Sequence, residues 1–355
     1  MREILDDVTR WMSNGDAVAV ATVVQTWGSA PRGVGSKMAM TPGSGADNKI
    51  SGSVSGGCVE GAVFEAGLEV LASGTPQLLH FGVADETAWE VGLACGGTIE
   101  VFVEKLSPEL LAFWKDATQR EKAIATATII KSKNDNLGQR AEATEYDEAK
   151  NTDEGIGSLS TVLSAAIRSL AQTALHEGQP RRVKLSDQVD VFVDVQLPQP
   201  QLIVIGGGHI AIALTQLAKI IGYKTVVIDP RSAFANQARF PHVDQLIAKW
   251  PAEALKEIVF SRSTAVAALT HDPKIDDKAL VAALQSNAFY VGALGSKTTH
   301  IQRVTRLQEA GLNEIIIHKM HAPIGLEIGA HTPEEIALAV MAEIVQARNQ
   351  EQAEK

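Results

Sequence analysis

Residues 201–214, QLIVIGGGHIAIAL, decide the fold of the second half of this 355-residue chain. An apolar run precedes Gly206 and Gly208, and Ala211 completes a G-x-G-x-x-A pattern. Such a loop between a strand and a helix lets a phosphate approach the backbone at the helix N-terminus. Asp229 follows the next apolar run, 229 − 208 = 21 residues later, where dinucleotide-binding folds place a carboxylate for a ribose hydroxyl. The pattern predicts a Rossmann-like unit, in which Arg231 is an alternative phosphate contact.

Downstream of this loop, apolar runs typical of strands alternate with amphipathic stretches typical of helices. This alternation predicts a doubly wound parallel sheet with helices on both faces. The predicted strands are 202–205, 225–228, 264–269, 288–291 and 315–317.

Residues that follow these strands are candidate ligand contacts, because open parallel sheets bind ligands outside the carboxyl ends of their strands. Each also has an ordinary structural alternative, such as a helix cap or a local turn. The three histidines raise a separate hypothesis, a metal site. The candidates are His209, Asp229, Arg231, His271, Asp272, Gly295, Ser296, Lys297 and His321.

The only two cysteines, Cys58 and Cys95, lie beside glycine pairs in the first half of the chain, in SGGCVE and LACGGT. A helical apolar stripe follows Cys58 and ends at Gly74, which predicts a strand-to-helix junction at the glycines. Unpaired N–H groups at a helix start favour anions and an ionised thiol. Free cysteines are commonly buried, so each could also be an ordinary core thiol. Position favours Cys58 as a ligand-facing thiol and leaves Cys95 open.

The sequence pattern changes from mixed α+β to alternating strands and helices around the extended segment LPQP at 197–200, and this change indicates a domain boundary. Residues 1–197 are expected to form a mixed α+β domain, within which 107–190 are less informative, and 198–355 the Rossmann-like domain. The segments 100–106 and 190–197 resemble one another, and both precede a proline or a Ser-Pro pair. We interpret them as two edge strands; chance similarity between amphipathic strands is the alternative explanation.

Composition excludes several classes of protein. The formal net charge of −10 argues against a general binder of nucleic acid, which needs a dense basic face. Two cysteines 37 positions apart provide no four-ligand zinc set. The chain opens without an apolar secretory signal and has no run of about 18 apolar residues, so a cytoplasmic protein without a membrane span is expected.

With these segments in hand, the chain resembles the XdhC/CoxI family, accessory proteins of molybdenum hydroxylases such as xanthine dehydrogenase. The resemblance covers both ends of the chain and leaves about 107–190 unsupported. In the first half it rests on WGSAPR at 27–32, which contains Arg32, on SVSGGCVE at 53–60, and on ACGG at 94–97. In the second half it rests on GGGH at 206–209, RFP at 239–241, THDP at 270–273, GALGSK at 292–297 and HAPIGL at 321–326.

The resemblance implies a protein that binds the molybdenum cofactor (molybdopterin), supports its sulfuration and delivers it to an apo molybdenum hydroxylase. A cysteine desulfurase is a further partner, and a homodimer is expected. Besides the candidates named above, it suggests cofactor contacts at Arg32, Gly56, Gly57, Cys58, Cys95, Gly96, Gly97, Gly206 and Gly208.

Two other functions stay open. An NAD(P)-dependent oxidoreductase would use the Rossmann crevice, with His271 or Lys297 as acid/base, and a regulatory module would sense a nucleotide there. Two glycine-flanked thiols are hard to explain in a plain dehydrogenase, which favours the chaperone.

Overall fold

The computed structural model describes residues 1–30, 32–43, 48–82, 97–133, 136–144 and 161–353. The chain divides into two compact units, Met1–Gln196 and Leu197–Lys355. Each unit contains its own apolar core.

The first unit contains a five-stranded antiparallel sheet in the order β3-β2-β1-β5-β4. Side chains of the central strand alternate between two buried faces, as strand geometry requires. Ala21 and Val23 join a core with α2, whereas Val20 joins a core with α1. The elements are α1 (Arg2–Ser13), β1 (Ala19–Trp27), β2 (Lys37–Thr41), β3 (Lys49–Gly52), α2 (Glu60–Ser73), β4 (Gln77–Phe81) and β5 (Thr98–Lys105).

A second antiparallel sheet of four strands, in the order β7-β6-β9-β8, completes the first unit. Its elements, with two helices, are α3 (Pro108–Gln119), β6 (Ile124–Lys131), β7 (Arg140–Thr144), α4 (Thr161–Glu177), β8 (Arg181–Ser186) and β9 (Val189–Gln196). The interpretation of 100–106 and 190–197 as edge strands is wrong, because β5 lies between β1 and β4, and β9 between β6 and β8. A proline that follows a strand ends it without removing a ladder N–H, so it does not mark an edge.

Ion pairs connect the two sheets of the first unit. The Lys37 Nζ lies 3.0 Å from Asp194 Oδ2 and donates to Thr22 Oγ1 at 2.8 Å. The Lys37 side chain is only 4% exposed, so this pair is almost fully desolvated. Arg140 pairs with Glu104 across the same junction.

The second unit is a six-stranded parallel sheet in the order β12-β11-β10-β13-β14-β15. Alternate residues of β10 face opposite cores, with Ile203 and Ile205 towards α7 and α8, and Leu202 and Val204 towards α5 and α10. The elements are β10 (Gln201–Ile205), α5 (His209–Ile220), β11 (Lys224–Ile228), β12 (Gln245–Ile247), α6 (Pro251–Ala254), β13 (Thr264–Ala268), α7 (Pro273–Leu284), β14 (Tyr290–Ala293), α8 (Lys297–Glu309), α9 (Glu314–Ile317), β15 (Met320–His321) and α10 (Pro333–Ala353).

The predicted fold class is confirmed: an α+β unit precedes a doubly wound parallel sheet with helices on both faces. The prediction of a strand at 315–317 is wrong. Those residues form the short helix α9, whose start is capped because the Ile316 N–H donates to Asn313 Oδ1 at 2.9 Å. Three consecutive apolar residues do not distinguish a strand from a helical turn.

Helix α10 begins at a capping box. The Glu335 N–H donates to Thr332 Oγ1 at 3.2 Å, and the Thr332 N–H donates to Glu335 Oε2 at 3.0 Å. Neither α10 nor any other helix within the described ranges is apolar and long enough to cross a membrane.

Candidate functional site

The Cys58 loop, residues 53–59, is built around the carboxylate of Glu60, the first residue of α2. Its Oε1 accepts the N–H groups of Ser55 at 2.9 Å and Gly56 at 3.0 Å, and its Oε2 accepts the Gly57 N–H at 2.8 Å. Ser53 Oγ also donates to Oε1, at 2.6 Å. The N–H groups that could cradle an external anion at this helix start therefore bind an internal carboxylate.

Glu60 holds its charge in this position. Burial alone would raise its pKa, but the hydrogen bonds from Ser53, Ser55 and the backbone lower the pKa to about 2. Ser55 extends the network, because its Oγ donates to Glu60 and accepts the N–H groups of Cys58 and Val59, each at 3.0 Å. Hydrogen bonds thus fix the backbone conformation of the loop on both sides of Cys58.

Cys58 itself is exposed. Gly56 and Gly57 have φ values of +80° and +120°, a backbone region that residues with a Cβ rarely adopt. The two glycines let the loop turn sharply enough for its backbone to point inwards at Glu60.

Arg32 also holds the Cys58 loop, through a hydrogen bond to Ser53. Its Nε donates to the Ser53 carbonyl at 3.2 Å, and its Nη2 donates to both carboxylate oxygens of Glu3, at 2.6 and 2.7 Å. Gly97 packs against the segment before Arg32, where a Cβ at Gly97 would lie 2.4 Å from the Ser29 carbonyl oxygen. Cys95 and Gly96 lie outside the described residues.

The glycine loop of the second unit, Gly206–Gly208, is packed closely on two sides. A Cβ at Gly206, whose φ is +104°, would meet Thr270 Cγ2 at 2.4 Å, and a Cβ at Gly207 would meet the Phe234 carbonyl oxygen at 2.7 Å. Gly208 has open space around it and is the N-cap of α5, with no side chain to cap the first turn. The start of α5 is therefore accessible to an anion.

Asp229 is buried and engaged with its own unit. Its Oδ2 accepts the Gly207 N–H at 2.8 Å, and the Arg231 side chain donates to both oxygens, at 2.7 and 2.9 Å. Burial would raise the pKa of Asp229, but these hydrogen bonds lower it overall. Arg239, which sequence reasoning missed, donates to the Gly207 carbonyl at 3.0 Å. The carboxylate thus holds the glycine loop in place.

Two of the predicted contacts at this edge cap helices. Asp272 is the N-cap of α7 and accepts the Lys274 N–H, while Ser296 is the N-cap of α8 and accepts the Thr299 N–H. The remaining candidates after the strands reach solvent, in full or in part. They are His209, His271, Gly295 and Lys297.

His321, at the end of β15, is held by a carboxylate that the sequence did not indicate. Its Nδ1 lies 3.2 Å from Glu343 Oε1, and its ring is 4.5 Å from the Tyr290 ring, centroid to centroid. Glu343 also accepts from the Tyr290 hydroxyl at 2.5 Å and from the Gly325 N–H at 2.8 Å. Burial would raise the pKa of Glu343, but these contacts lower it.

Comparison with known proteins bears on both units. The model of the XdhC and CoxI family matches residues 11–82, and the model of the XdhC Rossmann domain matches residues 202–344. Together they span more than half of the chain. The chain belongs to the XdhC and CoxI family.

Two relatives of this XdhC and CoxI family member match along nearly its whole length. A Bacillus subtilis protein, named as a probable subunit of xanthine dehydrogenase, is 28% identical over 349 residues, with 95% of each chain covered. The molybdenum cofactor insertion chaperone PaoD of Escherichia coli is 27% identical over 350 residues, covering 98% of this chain and 88% of that protein. A crystal structure from Bacillus halodurans, described as a xanthine dehydrogenase, shares the fold, with a TM-score of 0.68 at 22% identity over 98% and 96% of the two chains.

The predicted site residues of this family member fall into two groups. The first unit brings Arg32, Gly56, Gly57 and Cys58 to one loop. The second unit places its candidates after successive parallel strands. Within the described residues no three His, Cys, Asp or Glu side chains could hold a metal ion, so His209, His271 and His321 do not form the hypothesised metal site.

Besides Arg239, sequence reasoning missed Glu60 and Glu343. Glu60 gave a usable signal, because an acidic residue in the first turn of a helix commonly bonds the N–H groups before it. Glu343 gave none, because it lies 22 residues from His321 and 53 from Tyr290 on an ordinary amphipathic helix.

Proposed function

We propose that this protein binds the molybdenum cofactor as cargo, supports its sulfuration and delivers it to an apo molybdenum hydroxylase. The observation that carries the proposal is the exposed Cys58 thiol on a loop fixed by Glu60 and Arg32. A thiol that only filled a core would be buried, and it would not need a loop fixed by hydrogen bonds to present it to solvent.

The chemistry of the Cys58 loop suits this cargo, a pterin with a dithiolene and a phosphate. A thiolate is a soft ligand of the kind that binds transition metals or takes part in sulfur transfer. The uncapped start of α5 beside Gly208 suits a phosphate. We therefore propose that Cys58 binds the metal or sulfur end of the cofactor. As a separate proposal for the second unit taken by itself, the α5 start binds a phosphate group.

The names of the relatives support the same role. PaoD is named an insertion chaperone for this cofactor, and the Bacillus subtilis relative is named for xanthine dehydrogenase. We propose an apo molybdenum hydroxylase as the main partner, a cysteine desulfurase as the sulfur source, and a cytoplasmic homodimer as the working form.

The test is cofactor content after purification from cells that make molybdenum cofactor. Wild-type protein is expected to carry pterin, measured as its oxidised fluorescent derivative, and Cys58→Ala to carry at least about tenfold less, as the loss of one metal–ligand contact implies. Glu65→Gln, an exposed change on α2, is the matched control and should retain pterin. Cys95→Ala addresses the second thiol.

Two results would count against the proposal. Wild-type protein without pterin, and unable to bind added cofactor, removes the cargo role. Equal pterin in wild type and both cysteine variants removes the thiol roles and leaves the cargo role standing.

A nicotinamide-dependent oxidoreductase is the second candidate, on the strength of the parallel sheet and its glycine loop. The usual ribose contact is already occupied here, since Asp229 binds Gly207 and Arg231. Oxidation of NAD(P)H by the purified protein with a small-molecule acceptor would favour this candidate, and its absence across acceptors would exclude it.

A further inference from the structure

A cavity of about 460 Å³ lies on the second unit, between the start of α6 and the exposed side of α7. Its volume falls in the range that holds small organic ligands. None of its side chains belongs to the candidate sites described above. They are Trp250, Pro251, Ala252, Glu253, Lys274 and Lys278.

Trp250 gives the cavity a large aromatic surface. It is the N-cap of α6 and has an extended backbone, so its side chain lies outside the helix while the following Pro251 is buried. The Trp250 side chain is 49% exposed, whereas Trp11 and Trp114 in the first unit are 5% and 3% exposed. A half-exposed indole beside a cavity can stack with a planar ring.

Cationic and anionic side chains flank this indole. Lys274 and Lys278 are exposed one turn apart on α7, and no ion pair or hydrogen bond in the described ranges engages either ammonium group. Nearby acids of α7 are engaged elsewhere, because Asp272 caps the helix and Asp277 pairs with Arg306. The lysines are therefore available to a phosphate, in a chain whose net charge is −10.

Glu253 offers a carboxylate for a ribose, whereas the carboxylate of Asp229 is already engaged. Glu253 is exposed in the first turn of α6, with no described side-chain partner, whereas both oxygens of Asp229 accept bonds from Gly207 and Arg231. A carboxylate at a cavity wall can accept from the two hydroxyls of a ribose.

The position in the fold agrees with these contacts. Trp250 follows β12 and Lys274 follows β13, so both lie at the carboxyl edge of the parallel sheet, where such folds bind ligands. We propose that this cavity binds a ribonucleoside 5′-phosphate, with the base on Trp250, the ribose at Glu253 and the phosphate at Lys274 and Lys278. The ligand is either a free mononucleotide or the nucleotide half of a dinucleotide.

Calorimetric titration of cofactor-free full-length protein with AMP, CMP and NAD⁺ tests this. Wild type is expected to bind at least one of the three with a Kd below about 1 mM. Trp250→Ala should weaken binding about 5- to 100-fold, as expected for the loss of one base stack. Lys274→Glu/Lys278→Glu should weaken it and reduce its dependence on salt, while the control Lys256→Glu, an exposed lysine outside the cavity, should not.

The ribose contact has its own readout. Wild type should prefer AMP over dAMP, and Glu253→Gln should reduce that preference about 2- to 10-fold, the value of one hydrogen bond. Equal affinity for AMP and NAD⁺ identifies a mononucleotide site, and tighter binding of NAD⁺ identifies a dinucleotide site.

The proposal is overturned if none of the probes binds, or if Trp250→Ala and the lysine variant bind as tightly as wild type. Pterin content of the same variants is measured separately. Loss of nucleotide binding with normal pterin content would leave the cargo function standing, and the reverse result would leave the nucleotide site standing.

Discussion

At the scale of single residues, Glu60 fixes the loop of the candidate cargo site through its hydrogen bonds. Its carboxylate accepts the N–H groups of Ser55, Gly56 and Gly57, so one side chain replaces the external anion that a glycine-rich helix start would otherwise attract. The consequence is a loop that presents a thiol rather than a phosphate-binding cradle.

Replacing Glu60 should destabilise this loop. Glu60→Ala leaves the buried Ser55 N–H without its acceptor, and we expect a loss of about 1 to 3 kcal/mol in the free energy of unfolding, measured by urea denaturation. Glu65→Gln on the same helix should leave the unfolding free energy unchanged. A Glu60→Ala protein as stable as wild type would contradict the role of the network.

The lowered pKa of Glu60 predicts that the free energy of unfolding depends on pH. The pKa of Glu60 in the folded protein is about 2, below the ordinary value of 4.5, so folding favours its charged form. Its contribution to stability is therefore complete above about pH 4.5 and is lost as the pH falls towards 2. Urea denaturation across this interval should give a shallower decline for Glu60→Gln than for wild type. Parallel declines would show that Glu60 contributes nothing.

The buried Lys37–Asp194 pair makes a third prediction at this scale. Asp194→Asn leaves an ammonium group that is 4% exposed without its charge partner, and should lower the unfolding free energy by about 3 to 5 kcal/mol. Asp187→Asn is the control, because Asp187 is 96% exposed in its pair with Lys184 and should contribute less than about 1 kcal/mol. Similar effects of the two substitutions would refute the importance of burial here.

At the scale of elements, the sequence predicted correctly those helices, strands and turns that a local pattern of residues determines. The strands β10, β11, β13 and β14 and the glycine loop each combine a run of apolar residues with a local turn signal. The strand proposed at 315–317 failed because Asn313 caps a helix there. The edge interpretation of β5 and β9 failed because a strand's neighbours depend on distant segments, in this case β4 and β8.

Some features of the candidate site could also be predicted from local sequence patterns, and others could not. Cys58 and the glycines were predictable from turn and helix signals. The bond from Gly207 to Asp229 and the pairing of Glu343 with His321 were not, because such partners depend on how non-adjacent elements pack.

Two adjacent glycines test the packing of the β10–α5 connection. Gly207→Ala would place a Cβ 2.7 Å from the Phe234 carbonyl oxygen and should destabilise the protein by about 1 to 3 kcal/mol. Gly208→Ala meets open space at a φ of −70° and should change the unfolding free energy by less than about 1 kcal/mol. Equal effects in urea denaturation would show that the loop is not held against Phe234.

At the scale of the whole molecule, the chain is a two-unit member of the XdhC and CoxI family. The apolar clusters fall within one unit or the other. We therefore predict that residues 1–197 and 198–355, expressed separately, each fold and melt cooperatively by circular dichroism. A fragment of residues 1–230, which cuts the parallel sheet after β11, is the control and should expose apolar surface. Failure of both separate units to fold would contradict the predicted division.

Delivery of the cofactor to a recipient enzyme is the direct test of the proposed function. Protein loaded with sulfurated molybdenum cofactor is mixed with an apo molybdenum hydroxylase, and the return of hydroxylase activity is followed over time. We predict that the wild-type protein restores activity faster than an equal amount of free cofactor, and that Cys58→Ala does not exceed the free cofactor. Restoration by the loaded wild type at the rate of free cofactor would contradict the proposed delivery role.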